Sequence, residues 1–591
     1  MSDIDNTASG LKGQIEKEIQ QYLTEDVQIG ENQYFSQHKL VRRISLFESH
    51  TYPTGKIDSQ GNYKFWYDII TPRIDSEVKN IDFDTHDITV YSPRKIDEIP
   101  CIITNLKLKE YLRTTGQAEQ INSAIEEGSG WGNIVWKKVK KGYERVDEKN
   151  FYVINQTAEC LDETPVIERH QFSQSDLRAK KESWANVTDV LQKCGSNTYQ
   201  SSLGDQAKDT TTPYYDIYER NGEVSMKDLK EVHGEKPAQG DEDEYVFAKV
   251  ICAGKKGSVT SSVSIEYILF AEEMKGKSNS DIYKEYHRSR YKGRWFREGL
   301  YELLFDVQVR CNQIGNQIAQ GLEFASKSIF TSKDKLLVQN ILTDLKNGDV
   351  IRTEGLTHVQ VRMEGFDQLA NEWNKMLELA NDIANAREVV QGITPASGVP
   401  LGTTQLLNQN AGKLFDFIRE KLGIPFSEIF EEWTVPDLIT DIKAQDVLLL
   451  SGDSDMMKRL QQIIVDDWYV TNLIAIGPHD EATATALKEQ KLEELTKRPQ
   501  LLMKSVAKLF SDFKPHVIVD ITGEGLSLAT DVQDIVAFAG LEQDPIRRSA
   551  MLELAARKKG LDFGALPKSP PAPPPPPPGA MPSPIQKVGL P

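Results

Sequence analysis

The chain has 591 residues, 39% of them hydrophobic and 27% charged, with a formal net charge of −18. This composition allows sizeable cores, on a length that suggests about four domains or one elongated subunit, and it disfavours a protein whose main task is a tight, non-specific grip on nucleic acid. The opening MSDIDNTASG lacks the order of a signal peptide, and no apolar run approaches the roughly 20 residues of a membrane span.

In chain order, LKGQIEKEIQQYL (residues 11–23) reads as an amphipathic helix. The alternation in YKFWYDIIT and NIDFDTHDITVYS, from about Asn62 to Val90, reads as strands. One helical stretch from Ile103 to Glu127 follows, then a turn at GSGWGN and the hairpin-like IVWKKVKKGYERVDEKNFYVI. Tyr214 to Phe270 reads as further strands, with a polar loop at KPAQGDEDE. The five cysteines, Cys101, Cys160, Cys194, Cys252 and Cys311, form no CxxC pair, so reduced thiols in an intracellular protein are expected.

The character changes at Leu300. Leu300, Leu304, Val307, Cys311, Ile314, Ile318 and Leu322 form one narrow stripe, which predicts a helix of about 30 residues and roughly 45 Å. Phe366, Leu369, Trp373, Met376, Ala380 and Ile383 repeat the pattern over a helix expected to reach Val390. Stripes this narrow suit helices packed on one another or on copies of themselves. Between them, DKLLVQNILTDLKNG predicts a short helix, and DVIRTEG and THVQVRM two strands. The Gly/Pro loop VVQGITPASGVPLGTT then leads into a helix from Thr403 to about Leu422, expected to kink or break at Pro425. Beyond Trp433 the chain reads as helix-rich, with strand-like DVLLLSG and HVIVDITG, and it ends in a proline-rich spacer.

No chemical motif is complete. The loop GITPASGVPLGTT has the composition of a phosphate loop but no Lys, and it follows a helix where a Walker loop follows a strand. GSGWGN fails the GxGxxG spacing, and DFDTHD could place Asp82, Asp84 and His86 on one strand face for a metal but is read as a solvated face. GPHDE sits at a helix start, where acids complement the dipole. No catalytic residue, cofactor or metal ligand is therefore assigned, and the chain is not read as an enzyme. The densest cationic stretch, YKEYHRSRYKGRWFREGLYE (283–302), could bind phosphates; an interface or interdomain joint is preferred, since Arg, Tyr and Trp suit one.

The order of these elements resembles the portal proteins of tailed double-stranded DNA bacteriophages. GRWFREGLYELLFDVQVRCNQIGNQI is similar to the portal segment in which a Gly-Arg turn and a Glu (here Glu298 or Glu302) precede a helix bearing Gln308 and then Asn312. VVQGITPASGVPLGTTQLLNQNAGKLFDFIREKLGIPFSEIFEEWTVPDLI resembles the portal tunnel loop and the helix beneath it, and GSGWGNIVWKKVKKGYERVDEKNFYVI resembles the wing. The resemblance covers most of residues 60–440.

It implies a mainly helical α+β subunit: wing (1–295), stem helices (296–325 and 364–391), clip (326–363), tunnel loop, kinked helix and remaining wing (392–481), crown-side helices (482–565) and a tail (566–591). It also implies a homo-oligomeric ring, usually of twelve, at one capsid vertex of the virion, assembled in host cytoplasm. The expected partners are the major capsid protein, the terminase large subunit (the packaging ATPase), head–tail adaptor proteins and double-stranded DNA, with no membrane. Thr394, Ser397, Thr403, Thr404 and Gln405 would line the channel, and Lys333, Lys335, Lys346, Arg352 and Arg362 would serve docking at the clip. No Lys or Arg falls between Gln391 and Gly412, and 364–391 holds six acids against two bases, which would leave the duplex free to slide. Another virion protein, such as an adaptor or core protein, is the nearest alternative; a metal- or nucleotide-dependent enzyme is more distant.

Overall fold

The computed structural model describes residues 10–57, 61, 63–81, 88–94, 97–140, 142–194, 214–256, 263–326, 329–331, 357–359, 365–384, 401–442, 454–476, 480–498, 504–506, 508–510 and 512–519, with isolated positions beyond. Residues up to Ile521 form one compact unit and those from Thr522 a second, in which Ile535, Val536, Ala539, Arg548 and Leu552 have helical backbone.

The first unit begins with α1 (Gly10–Thr24), the hairpin β1 (Val27–Gly30) and β2 (Gln33–Phe35), and α2 (Gln37–Glu48). Then come α3 (Thr71–Ile81), β3 (Ile88–Tyr91), α4 (Glu98–Thr114), α5 (Gln117–Trp131), β4 (Asn133–Lys138), β5 (Tyr143–Val146), β6 (Phe151–Val153) and β7 (Val166–Phe172). The short α6 (Gln174–Ala179) and α7 (Val187–Lys193) precede β8 (Tyr215–Ser225), α8 (Met226–Val232), β9 (Tyr245–Lys256) and β10 (Val263–Glu273). After α9 (Asn279–Ile282), β11 (Tyr283–His287) and α10 (Leu300–Leu303) comes the excursion: α11 (Phe305–Ser326), β12 (Ile329–Thr331), β13 (Thr357–Val359) and α12 (Phe366–Ile383). The unit closes with α13 (Leu401–Ile429), a π-helical turn at Phe430–Thr434, α14 (Val435–Asp441), α15 (Ser454–Ile476), α16 (Glu481–Lys497) and β14 (His516–Val519).

The larger sheet is antiparallel in the order β10-β9-β8-β7-β6, and helices cover both faces. On one face Leu11, Ile15, Ile19 and Tyr22 of α1 pack with Val250, Cys252, Ile265 and Ile268; on the other, Leu177, Val187 and Val190 meet Ile217, Ile251 and Leu269. The polar positions of β8 are therefore buried too, and each buried charge has a partner: Asp216 with Arg169, Glu219 with Lys137, Arg220 with Glu18. A second sheet, β11-β4-β5, lies between two cores. One core joins α2, α3 and the start of α11; the other gathers Phe415, Ile418, Leu422, Phe426 and Phe430 with α4, α5, α15 and α16.

Several expectations hold. The helix at 10–24, the hairpin β4–β5, the strands β8–β10, the helix start at Glu481 and the strand HVIV are all present, and the five cysteines are free. No helix among the described residues is long and apolar enough to cross a membrane.

Others are corrected. Most of the stretch read as strands near 62–90 contains α3; only Ile88–Tyr91 is strand, and Asp82–Asp87 lies outside the described residues. Asp68 Oδ1 accepts from Ile70 N and Thr71 N, Pro72 sits in the first turn where it forfeits no helical bond, and Ile74 and Ile81 are buried on one face, two turns apart. The single helix at 103–127 is two, parted at Gly116 (φ +69°). The second continues through the expected GSGW turn, because Gly128 and Gly130 lie against Ile134 and Tyr301 where a Cβ would come within 2.7 and 2.8 Å. The first long stripe is broken at Leu304 and yields a helix of 22 residues, about 33 Å; the second yields 18 residues to Ile383. The partner of THV is IFT, directly after α11, while DVIRTEG, DKLLVQNILTDLKNG and DVLLLSG lie outside the described residues. Pro425 does not break its helix: α13 runs through it for 29 residues, held by buried Phe426, Ile429 and Phe430, and the irregularity comes one turn later, where Val435 N bonds Phe430 O across the π turn.

Candidate functional site

The feature that organises the middle of the chain is the pair α11 and α12, with the ladder of β12 and β13 beyond α11 (Ile329 opposite Val359). The two helices meet through Arg310 Nε and Glu372 Oε1 at 2.8 Å, and the ring of Trp373 on α12 stands edge-on to Tyr67 at 5.2 Å. Leu304, just before α11, and Val307, Cys311 and Ile314 along it are buried, whereas Leu322 is 57% exposed. The stripe therefore leaves the body as the helix advances.

The other side of α11 carries an amide seam. Phe65 N–H donates to Asn316 Oδ1 at 3.0 Å, Tyr67 N–H to Asn312 Oδ1 at 2.9 Å and Ile69 N–H to Gln308 Oε1 at 3.0 Å. Gln308 Nε2 returns a bond to Tyr67 O at 2.6 Å, and Asn316 Nδ2 one to Phe65 O at 3.2 Å. Four helical residues advance about 6 Å and two extended residues about 6.6 Å, so side chains at every fourth helix position meet alternate residues of the extended segment. The helix thus serves as a neighbouring strand for a segment that has no sheet. Gly315 permits the approach, since a Cβ there would lie 2.3 Å from the Tyr67 ring.

The cationic segment 283–302 is a joint within the chain. Arg288 holds the buried Glu77 of α3 through two contacts of 2.7 Å, Arg294 holds Glu302, and Lys284 reaches Glu428 and Glu432 on α13 and its π turn. Trp295 is fully buried and donates from Nε1 to Glu285 at 2.6 Å. Lys284, Arg288 and Arg294 are thus committed to carboxylates of the same chain, while Arg297 donates to the carbonyls of Ser289 and Glu159 and Arg290 stays exposed. Exposed faces on the three long helices are neutral or acidic: Gln313, Gln317 and Gln320 on α11; Asp367, Glu378 and Asp382 on α12; Asp416, Glu420 and Glu428 on α13. Among the described residues of these helices, Lys375 is the one exposed base.

A cavity of about 750 Å³ opens over the larger sheet, with His170, Glu219 and Lys137 among its lining residues and Phe172 and Trp184 on its wall. Glu168, His170 and Glu219 bring one ligand atom each within 4.8 Å of one another, a spacing that suits a metal ion. Lys137 already fills that role. Its Nζ lies 2.6 Å from Glu168 and 2.8 Å from Glu219, and Lys249 adds a contact of 2.8 Å to Glu219. Burial disfavours the Lys137 charge, but Glu219 and Glu168 outweigh it and its pKa stands raised. Burial likewise opposes ionised Glu219, yet the His170 bond and the two lysines hold its pKa well below the carboxylate range. Two carboxylates and two ammonium groups balance, so a metal ion would have to expel a cation held on both sides.

Thr403, Thr404 and Gln405 fall in the first turns of α13, which starts at Leu401, two residues earlier than expected; their side chains lie outside the described residues. So do Thr394, Ser397, Lys333, Lys335, Lys346, Arg352 and Arg362. Gln308 and Asn312, singled out in the sequence, are brought together in the seam. Asn316 was missed, although the spacing Gln-x3-Asn-x3-Asn could have revealed it. No protein-family model matches the chain, and no curated protein matches it.

Proposed function

We propose that the chain is a portal subunit: copies close into a ring, usually of twelve, at one capsid vertex, and double-stranded DNA passes through the central channel. The observation that carries this reading is the excursion from α11 through the β12–β13 ladder to α12, followed by α13, a helix of about 43 Å. A subunit serving as a channel wall needs long helices to span it, and a small tip to present to a docking partner. In this reading α11 and α12 are the stem, 326–363 the clip that meets the packaging ATPase and later the adaptor, and the Gly/Pro stretch before α13 the tunnel loop.

The charge distribution supports the same reading. Faces on α11, α12 and α13 that are neutral or acidic but for Lys375 would leave a passing duplex without deep phosphate wells, and Lys284, Arg288 and Arg294 of the strongest basic stretch are paired with carboxylates of the same chain. The subunit would do no chemistry; translocation would draw its energy from the partner ATPase. Negative-stain electron microscopy of the purified chain tests the proposal. Rings with a central opening are expected, and a field of small compact particles at every salt and protein concentration, with capsid protein present as well as absent, would contradict it.

A further inference from the structure

Helix α3 touches both helices that flank 385–400. Near its N-terminus, Arg73 is 8% exposed and donates from Nη2 to Asn381 Oδ1 at 2.8 Å and to Leu377 O at 3.4 Å, both in the last two turns of α12, while Nη1 bonds Ile69 O at 2.7 Å. At the opposite end, Arg419 of α13 donates from Nη2 to Asn80 O at 2.6 Å and from Nε to Ile81 O at 3.1 Å. These last two are terminal carbonyls of α3, which have no partner within their own helix, and a guanidinium there also meets the negative end of the dipole.

Apolar contacts back each junction. Ala380 of α12 and Ala384 just after it belong to the cluster that holds Ile70 and Ile74, and Ile418 of α13 to the one that holds Ile81. The middle of α3 is fixed through Glu77, paired with Arg288, and Lys421 of α13 bonds the carbonyls of Arg288 and Ser289 at 3.1 and 3.3 Å. An 11-residue helix is a stiff rod of about 16 Å, so a displacement at one end is delivered to the other.

We infer that Arg73 and Arg419 are positioning residues that couple α12 to α13 through α3 as a strut, fixing the separation of the two chain ends between which residues 385–400 run. The functional weight of this coupling rests on the portal reading, in which that stretch lines the channel; the coupling itself does not. Because the two arginine links act in series, cutting either one loosens the strut while the apolar contacts and the Lys421–Arg288–Glu77 path still hold α3, so a second cut adds less than its own full share.

Electron paramagnetic resonance between spin labels on Glu378→Cys and Asp416→Cys, both exposed positions, reads the separation directly; Cys160→Ser removes the one cysteine that is not buried. The full chain is diluted with unlabelled copies, so that only distances within a chain register. The parent should give one narrow distance, broadened in Arg73→Met and in Arg419→Met, with the double variant broadened by clearly less than the sum of the two. Asn381→Ala removes the shorter of the two α12 contacts of Arg73, leaving the one to Leu377 O, and should reproduce part of the broadening, whereas Lys39→Met, which cuts an exposed pair with Asp26, should give none. A distance unchanged in both arginine variants, or broadening that adds in the double, would overturn the strut. Native mass of the same samples reads the ring independently, so a monomer that shows the series behaviour keeps the strut and loses the portal reading.

Discussion

Helices α11 and α12 run side by side but are held in opposite ways. α11 is seated in the body: its stripe is buried up to Ile314, and Gln308, Asn312 and Asn316 bind the backbone of 65–69. α12 has the more regular stripe, yet of its six members only Ala380 is buried, while Phe366, Leu369, Trp373, Met376 and Ile383 are half-buried. A helix that has spent its polar and apolar groups on its own chain is a fixed element. One whose apolar stripe is half covered has area left for another surface, and in the proposed ring that surface would be the next copy.

This contrast can be broken by substitution. The reference for a large loss is the body itself. Lys137→Met leaves Glu168 and Glu219 buried with too little positive charge and should cost about 3–5 kcal/mol in urea unfolding. The same network sets an acid limit. The Glu219 pKa is lower in the folded chain than its ordinary value of 4.5, so its contribution is full above that value and is lost as pH falls below it towards the folded value. Glu219→Gln should flatten the acid side of a stability–pH profile; a profile that keeps its slope would contradict the assignment.

Gln308→Leu comes next. It strands the Ile69 N–H and the Tyr67 carbonyl and should cost about 2–4 kcal/mol. Since no net charge is involved, that loss should be the same at low and high salt, and a loss that shrinks with salt would refute the amide seam. On α12, Trp373→Ala gives up an edge-on contact with Tyr67 and half-buried packing on the core beneath, and should cost the subunit about 1–2 kcal/mol. Its larger effect should appear in assembly, read as a shift of ring to monomer in sedimentation. Smallest is Glu372→Gln: the ion pair with Arg310 is 36–41% exposed, and its loss should stay within about 1 kcal/mol.

Much of this arrangement was legible in the sequence, and the rest was hidden for physical reasons. Stripes with helical period gave α1, α11 and α12, and alternation gave the β4–β5 hairpin and the strands β8–β10. The burial of β8 on both faces was not legible: Asp216 and Arg220 on one face and Glu219 on the other are covered and neutralised by residues from distant parts of the chain. α3 was lost because the neighbouring IIT pair reads as strand and the cap from Asp68 is a local hydrogen bond that hydrophobic period does not report. Passage of α13 through Pro425 was equally invisible, since packing around Phe426 and Phe430 outweighs one missing donor. Of the candidate site, Gln308 and Asn312 were marked by resemblance, but their task appears only once 65–69 lies alongside. The pairs Arg73–Asn381 and Arg419–Ile81 span 308 and 338 residues, and no local pattern joins them.

The most direct test of the central claim is the native mass of the purified chain, measured beside Trp373→Ala under identical conditions with matched capsid protein present and absent. The portal reading predicts a closed assembly of about twelve copies for the parent, and disassembly on loss of the half-covered Trp373 while the subunit stays folded. A parent that remains a monomer or dimer in every condition, or a Trp373→Ala assembly indistinguishable from it, would contradict the claim that α12 reserves its stripe for a neighbouring copy.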